Sequence, residues 1–102
     1  MKLINTKLEF EGYIKSGDVI MQFSADWCMP CKSLSKTLLT MVKVYPDIGF
    51  AKFDIDNDTS LAQKYDVRSV PTTIFFKDGK EATRMMGSHP SQKIVEQIKA
   101  TF

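Results

Sequence analysis

The 102-residue chain contains little of what several broad protein classes require. It has two cysteines, one histidine and one tryptophan, which leaves few ligands for a structural zinc site. No hydrophobic run approaches the length of a transmembrane helix. Lys and Arg total 14 against 12 Asp and Glu, a formal net charge of +2, and no stretch concentrates either sign. The charge pattern therefore supports neither nucleic acid nor an anionic membrane as a partner.

Length and composition are those of one soluble globular domain, and we expect residues 1–102 to form it. Hydrophobic residues make up 43% of the chain and charged residues 25%, and there is no linker, repeat or low-complexity tract. Residues 1–15 mix charged, polar and apolar side chains without the continuous hydrophobic core of a secretory signal. We expect a cytoplasmic, reducing location, in which a cysteine pair is more often catalytic than structural.

Hydrophobic periodicity predicts strands and helices that alternate along the chain. The predicted order is β-α-β-α-β-α-β-β-α, with strands at residues 2–5, 18–24, 48–55, 72–76 and 81–86. The last two strands form a hairpin around Asp78-Gly79, a strong turn dipeptide. The alternation predicts an α/β fold with a central mixed β-sheet: a mostly parallel core, an antiparallel C-terminal hairpin, and helices on both faces.

Four helices are predicted between these strands. The first is short, and we expect its inner side to consist of Leu8, Phe10, Tyr13 and Ile14. The second, the longest, follows Cys31 and continues through Tyr45 until Pro46 stops it. The last has Pro90 in its first turn. In the strand before it, Met85 and Met86 are expected to face opposite sides of the sheet.

The two cysteines, Cys28 and Cys31, lie where the second strand gives way to the second helix. If Cys28 stands at the first turn of that helix, the spacing of three residues brings both sulfurs to one face, close enough to bridge. The free N–H groups of a first turn and the helix dipole would stabilise a thiolate there. Pro30 suits a first turn, and Lys32 adds a nearby positive charge. A redox-active dithiol is the leading interpretation.

Two other interpretations of the pair stay open. It could be half of a zinc site, although His89 is the only further nitrogen ligand and a structural site needs four ligands. It could also be a fixed structural disulfide, although so short a loop would stabilise little. Neither accounts for the pair as well as redox chemistry does.

Over essentially its full length the chain resembles the thioredoxin family. The matching features are the tracts Phe23-Ser24-Ala25-Asp26-Trp27-Cys28-Met29-Pro30-Cys31-Lys32, Val67-Arg68-Ser69-Val70-Pro71-Thr72 and Phe76-Lys77-Asp78-Gly79-Lys80, together with Gly87. The resemblance implies a thioredoxin fold and a protein-disulfide reductase that needs neither metal nor organic cofactor. It further implies disulfide-containing target proteins, a thioredoxin reductase that restores the dithiol, and a monomer.

The resemblance also implies roles for individual residues. Cys28 would be the exposed nucleophile and Cys31 the buried resolving thiol. The substrate-binding residues would be Trp27, Met29, Pro30, Val70, Pro71 and Gly87. Among these, Trp27 would form a shelf beside the dithiol and Pro71 would follow a cis peptide bond. The backbone of Val70 would pair with an extended substrate segment.

Two positions, Gln22 and Met29, depart from the family pattern, and a third, Lys52, is affected by the first of these departures. Gln22 stands where the family usually carries a buried Asp that is thought to help move a proton at the buried thiol, and Lys52 consequently lacks a carboxylate partner. Because Gln22 cannot ionise, we expect slower release of the mixed disulfide near neutral pH. Met29 replaces the usual Gly between the cysteines, and we expect it to shift target preference.

Two further functions are weighed against the reductase. One is a glutaredoxin-like dithiol enzyme that draws on glutathione, although Met29-Pro30 is not the Pro-aromatic pair typical there. The other is a thioredoxin-fold binding subunit of a larger complex, in which redox chemistry is incidental.

Overall fold

A computed structural model describes all 102 residues. Its five strands and four helices follow the predicted order. The strands are β1 (Lys2–Ile4), β2 (Asp18–Ser24), β3 (Ile48–Asp54), β4 (Thr72–Lys77) and β5 (Lys80–Met86). The helices are α1 (Lys7–Ile14), α2 (Met29–Leu39), α3 (Thr59–Lys64) and α4 (Ser91–Thr101). No helix is long and apolar enough to cross a membrane.

The five strands form one mixed sheet in the order β1-β3-β2-β4-β5. Strands β1, β3 and β2 pair in parallel, whereas β4 pairs antiparallel with both β2 and β5. Strand β2 lies at the centre, and every residue from Val19 to Ser24 is buried. This arrangement confirms the predicted parallel core with an antiparallel hairpin at its edge.

Helices cover both faces of the sheet and divide the core into two clusters. Residues of α1 and α3, including Phe10 and Leu61, pack on one face. Residues of α2 and α4, including Leu38 and Ile98, pack on the other. Because alternate residues of a strand point to opposite faces, β2 contributes Met21 to the first cluster and Ile20 to the second. Apolar packing therefore holds helix α2, at whose N-terminus the two cysteines lie, against the sheet.

Helix α1 follows the N-cap Thr6 and buries fewer residues than expected. The Thr6 hydroxyl accepts the Glu9 N–H at 3.1 Å, and Phe10 and Ile14 are buried. The prediction that Leu8 faces inward is wrong, since Leu8 is 83% exposed. Side chains two residues apart in a helix differ in direction by about 200° around the helix axis. Leu8 therefore points away from the face that carries Phe10.

Helix α2 is shorter than predicted, because it ends at Leu39 and does not continue to Tyr45. The chain tightens after it into turns with N–H to C=O bonds between residues three apart, such as Met41 to Leu38 at 3.0 Å. The Thr40 hydroxyl also donates to the Thr37 carbonyl at 2.6 Å. Local side-chain bonding of this kind competes with the helix. Helix α4 has the same length as α2, 11 residues.

The predicted hairpin turn is present, whereas Pro90 lies one residue before the helical turn in which it was predicted. Asp78 and Gly79 have φ values of 49° and 85° and form the two-residue hairpin loop, as Asp-Gly pairs commonly do. The Asp78 carboxylate accepts the Gly17 N–H at 2.8 Å, which fastens the hairpin to the turn before β2. Pro90 is the N-cap of α4 and lies just before its first turn.

Candidate active site

The two cysteines lie at the carboxyl end of the central strand β2, at the start of α2. Cys28 is the N-cap of the helix and Cys31 lies in its first turn. Their sulfurs form a disulfide, and their Cα atoms are 5.3 Å apart. The spacing of three residues therefore does what the sequence predicts, since it brings both sulfurs together at a helix N-terminus.

The N-terminus of α2 is directed at the sulfur of Cys28. The backbone N–H of Cys31 donates to Cys28 Sγ at 3.2 Å. Pro30, in the first turn, has no N–H to leave unpaired. A donor and the positive end of the helix dipole favour negative charge on the sulfur they face.

Neither cysteine is widely exposed. Cys28 is 5% exposed and Cys31 is 1% exposed, so the expectation of an exposed Cys28 is wrong in degree. Its sulfur is covered because it bonds to Cys31 and packs in a small apolar cluster that includes Val70. The order of accessibility is nevertheless the expected one, with Cys31 the more deeply buried.

Two loops distant in sequence complete the surroundings of the disulfide. The carbonyl oxygen of Val70 lies 3.7 Å from Cys28 Sγ, and the Val70–Pro71 peptide bond is cis. The N–H of Gly87 donates to the Pro71 carbonyl at 2.8 Å, and Gly87 has a φ of 84°. The structure therefore brings together Cys28, Val70, Pro71 and Gly87.

Large apolar side chains stand exposed around this centre. Trp27 and Met29, which flank Cys28, are 69% and 70% exposed. The indole N–H of Trp27 donates to Asp56 Oδ2 at 3.1 Å, which fixes the ring. Met86, next to Gly87, is 67% exposed, whereas its neighbour Met85 packs against the core. The two methionines thus face opposite sides, as predicted.

Gln22 lies fully buried beneath the dithiol. Its side-chain nitrogen donates to the Cys31 carbonyl at 3.0 Å, and its oxygen accepts the Ser35 hydroxyl at 2.9 Å. Lys52 is the register partner of Gln22 on β3. Lys52 lines a cleft of about 350 Å³ together with Asp26 and Asp54. Nowhere in the chain do three His, Cys, Asp or Glu side chains lie close enough to share a metal ion.

Sequence reasoning missed three residues of this neighbourhood. Ser35 carried no visible signal except its position four residues after Cys31, which places it on the same helix face. Asp56 lies between β3 and α3, and no local sequence pattern indicates its hydrogen bond with Trp27, 29 residues away. Met85 and Met86 were predicted to face opposite sides of the sheet, but only the pairing of β5 with β4 places Met86 beside the Pro71 loop.

A disulfide at the N-terminus of a helix, at the end of the central strand of a mixed sheet and facing a cis-proline loop, defines a thiol–disulfide oxidoreductase. Comparison with known proteins gives the same answer. The sequence model of the thioredoxin family matches residues 2–100. The chain belongs to the thioredoxin family.

Individual relatives agree over most of the chain. The sequence is 41% identical over 85 residues to thioredoxin-2 of Saccharomyces cerevisiae, covering 81% of this chain and 82% of that one. It is 35% identical over 100 residues to a thioredoxin of Mycoplasmoides gallisepticum, covering 97% and 100%. Among solved structures, Fasciola hepatica thioredoxin superposes with a TM-score of 0.89 at 32% identity, covering all of both chains.

Proposed function

We propose that the protein reduces disulfides in target proteins, with Cys28 as the attacking thiol and Cys31 as the resolving thiol. The observation that carries this assignment is the hydrogen bond from the Cys31 N–H to Cys28 Sγ at 3.2 Å. It places the donor at the helix N-terminus on Cys28, while Cys31 lies behind it at 1% exposure. A thiolate is the nucleophile in disulfide exchange, so Cys28 is the sulfur prepared to attack first.

The proposed reaction has two exchange steps. The Cys28 thiolate attacks one sulfur of the target disulfide, forms a mixed disulfide and expels the other target sulfur as a thiolate. Cys31, deprotonated, then attacks Cys28 Sγ, which forms the Cys28–Cys31 disulfide and expels the second target thiolate. The target gains two electrons and the enzyme loses two. The proton that Cys31 gives up passes to an expelled target thiolate or to solvent. An external reductase then returns two electrons to the Cys28–Cys31 disulfide, which takes up one proton to restore the Cys28 thiolate and the Cys31 thiol.

The proposed docking surface is the apolar rim around the disulfide, formed by Trp27, Met29, Pro30, Val70, Pro71 and Gly87. Support comes from the exposure of Trp27 and Met29, at 69% and 70%, and from the short distance between Cys28 Sγ and the Val70 carbonyl. An extended target segment could add main-chain hydrogen bonds along Val70. Gly87, without a side chain, leaves room for a backbone to approach.

The partners and location follow the same proposal. We infer that a thioredoxin reductase supplies the electrons and that the protein works in the cytoplasm, where a reducing environment keeps the pair available as a dithiol. We also infer that it acts as a monomer, since every residue of the proposed site comes from one chain. Gln22 and Lys52 are proposed to tune the release step and not to touch the target.

The function is tested by following reduction of a model protein disulfide with the parent and with Cys28→Ser. Thioredoxin reductase with NADPH is one electron source, and glutathione with its reductase is the other. The proposal expects turnover by the parent with the first source and none by Cys28→Ser. Recycling by glutathione alone would instead favour the glutaredoxin-like enzyme. A parent without activity, together with a target-bound complex that survives Cys28→Ser, would favour the binding subunit.

A further inference from the structure

The amide of Gln22 bridges two points of helix α2, one turn apart. A carbonyl oxygen can only accept a hydrogen bond, so the Gln22 nitrogen must face the Cys31 carbonyl, which lies 3.0 Å away. The amide oxygen then faces Ser35, whose hydroxyl must donate, at 2.9 Å. Gln22, Cys31 and Ser35 are 0%, 1% and 8% exposed, so water does not compete freely for these bonds.

We propose that Gln22 is a positioning residue that holds Cys31 for the release step, and that Ser35 keeps the Gln22 amide in the orientation this requires. The inference rests on the proposed function, because it assigns a role within the same two-step reaction. It adds a residue, Ser35, whose hydroxyl donates to Gln22 and not to either sulfur. Its effect on the reaction passes entirely through Gln22.

The bridge of hydrogen bonds that Gln22 makes between Cys31 and Ser35 matters most in the mixed-disulfide state. In the oxidised protein, the bond between the two sulfurs itself holds Cys31 beside Cys28. Once Cys28 carries the target, that bond is gone, and Cys31 is held only by the first turn of α2 and by its contacts with the sheet. The hydrogen bond from Gln22 fixes the Cys31 backbone to β2 in that state. Holding a nucleophile near its target atom lowers the entropic part of the barrier.

The neighbouring polar residues do not share this role. Thr73 is the register partner of Gln22 on β4, but its buried hydroxyl makes no hydrogen bond to another residue. Ser33 lies on the same helix as Ser35 but is exposed. These two positions provide matched controls. Ser33→Ala removes a hydroxyl from α2, and Thr73→Val removes one beside Gln22, yet neither change touches the bridge.

The experiment separates attack from release. Attack is measured in the Cys31→Ser background, as the rate at which Cys28 forms a mixed disulfide with a model protein disulfide. Release is measured with both cysteines present, as the rate of target liberation in a single turnover. Ser35→Ala should slow release about 2- to 10-fold, the range expected for one buried hydrogen bond, and leave attack unchanged. Ser33→Ala and Thr73→Val should match the parent in both steps.

A second measurement tests whether Ser35 acts through Gln22. Gln22→Met removes the amide while keeping the side-chain length, and it should slow release at least as much as Ser35→Ala. Adding Ser35→Ala to Gln22→Met should then cause no further loss. The reduction potential should become less negative with Ser35→Ala, by about 30 mV for a tenfold change in the equilibrium constant for disulfide formation.

The possible outcomes distinguish this inference from the proposed function. Equal release rates in the parent and Ser35→Ala would overturn the inference, and so would a loss shared equally by attack and release. Independent effects of the two substitutions would overturn the claim that Ser35 acts through Gln22. Absence of disulfide reduction by the parent would instead overturn the proposed function itself. The comparison of Ser35→Ala with Ser33→Ala decides the inference even if Gln22→Met does not fold.

Discussion

At the scale of single residues, two exposed methionines lie close to the disulfide. Met29 stands between the cysteines and Met86 beside Gly87, and they are 70% and 67% exposed. Methionine is flexible and polarizable, so it adapts to apolar surfaces of different shapes. We therefore expect both side chains to contact a target and to give this surface a preference for apolar targets that the sulfurs alone do not have.

Replacing Met29 by Gly should change target choice more than the chemistry. Loss of the side chain removes apolar contact worth about 1 kcal/mol, or roughly fivefold in kcat/KM, for protein disulfides flanked by bulky apolar residues. For a small symmetrical disulfide the rate should stay within about twofold. The measurement is kcat/KM over a panel of both kinds, with Met86→Ala, at the residue beside Gly87, as a second variant.

Leu8→Ala is the control for this experiment, since Leu8 is 83% exposed on α1, which covers the opposite face of the sheet from α2. Its kcat/KM values over the panel should match those of the parent. A Met29→Gly protein that ranks every target as the parent does would contradict a role for Met29 in target preference.

Contacts between residues could be derived from the sequence pattern itself only where they are local. Cys28 and Cys31 are three residues apart, so their proximity follows from helix geometry alone. The contact of Gln22 with Ser35 joins residues 13 apart, and it depends on how α2 sits on β2. The low exposure of Cys28 depends on Val70, 42 residues away, and no local pattern could indicate it.

At the scale of elements, Arg84 joins the outer strand β5 to the segment that leads to Pro71. Its guanidinium donates to both carboxylate oxygens of Glu81, at 2.6 and 2.7 Å, and to the Tyr65 carbonyl at 2.7 Å. The hydrogen bond to Glu81 holds the pKa of Arg84 above its usual value. One side chain thus ties β5 to the end of α3.

Arg84→Lys should weaken this connection, because an ammonium cannot form the same forked pair while reaching the Tyr65 carbonyl. We expect a loss of about 1 kcal/mol in the free energy of unfolding and faster amide hydrogen exchange in residues 65–70. Urea denaturation and exchange by NMR measure the two effects.

The matched control is Arg68→Lys, since Arg68 pairs only with Asp66 and its side chain is 85% exposed. That variant should unfold as the parent does. Equal stability of the two arginine variants would refute the role assigned to Arg84.

Helix α3 depends on its N-cap, Asp58, and this dependence should vary with pH. Asp58 Oδ1 accepts the Ser60 N–H at 2.9 Å, and hydrogen bonding with the Ser60 side chain is the main cause that lowers the pKa of Asp58 below 3.8. A carboxyl whose pKa is lowered by folding stabilises the protein above its unfolded pKa. That stabilisation is lost as the pH falls through the folded pKa.

Asp58→Ala should therefore unfold more easily than the parent at pH 7, and the difference should shrink as the pH falls below about 4. Urea denaturation across this range measures it. Asp47→Ala, at an exposed turn, is the control and should show no such trend. A difference between parent and Asp58→Ala that is constant with pH would contradict the assignment.

The order of elements follows from alternating hydrophobic patterns, and β2 has the predicted bounds. The end of α2 could not be read in the same way. The apolar residues Met41 and Tyr45 continue a helical spacing and do pack in the core, but tight turns hold them there. Burial is the same in both geometries, so the hydrophobic pattern does not distinguish them.

At the scale of the whole molecule, an aromatic cluster on the face opposite the dithiol helix anchors the fold. Phe10 is fully buried, and its ring lies 5.5 to 5.9 Å from four other rings, those of Phe23, Phe53, Tyr65 and Phe76. These rings come from α1, from three strands and from the end of α3. Phe10 therefore connects α1 both to the sheet and to the end of α3.

Phe10→Ala should lower the free energy of unfolding by about 3–5 kcal/mol, a large part of the stability of a small domain. The reduction potential of the folded variant should change little, because the sheet separates Phe10 from α2. Denaturation measures the free energy of unfolding, and redox titration measures the reduction potential. Leu8→Ala on the same helix should alter neither quantity. A large shift in potential for Phe10→Ala would show that the two faces are coupled.

The complete site exists only in the assembled fold. The dithiol, the Val70–Pro71 loop and Gly87 come from three separate parts of the chain, and the pairing of β4 with both β2 and β5 brings them together. Local patterns predicted the strands that do this, and resemblance to the thioredoxin family supplied the roles of Pro71 and Gly87. The polar bridge beneath Cys31 needed the structure itself.

The most direct test of the two cysteine roles is to trap the mixed disulfide. Reduced Cys31→Ser and Cys28→Ser are each incubated with a protein disulfide and analysed by mass spectrometry without reductant. We expect Cys31→Ser to accumulate a complex bonded through Cys28, and Cys28→Ser, which keeps only the more buried sulfur, to form almost none. A complex that forms through Cys31 in Cys28→Ser as fast as the one in Cys31→Ser would contradict it.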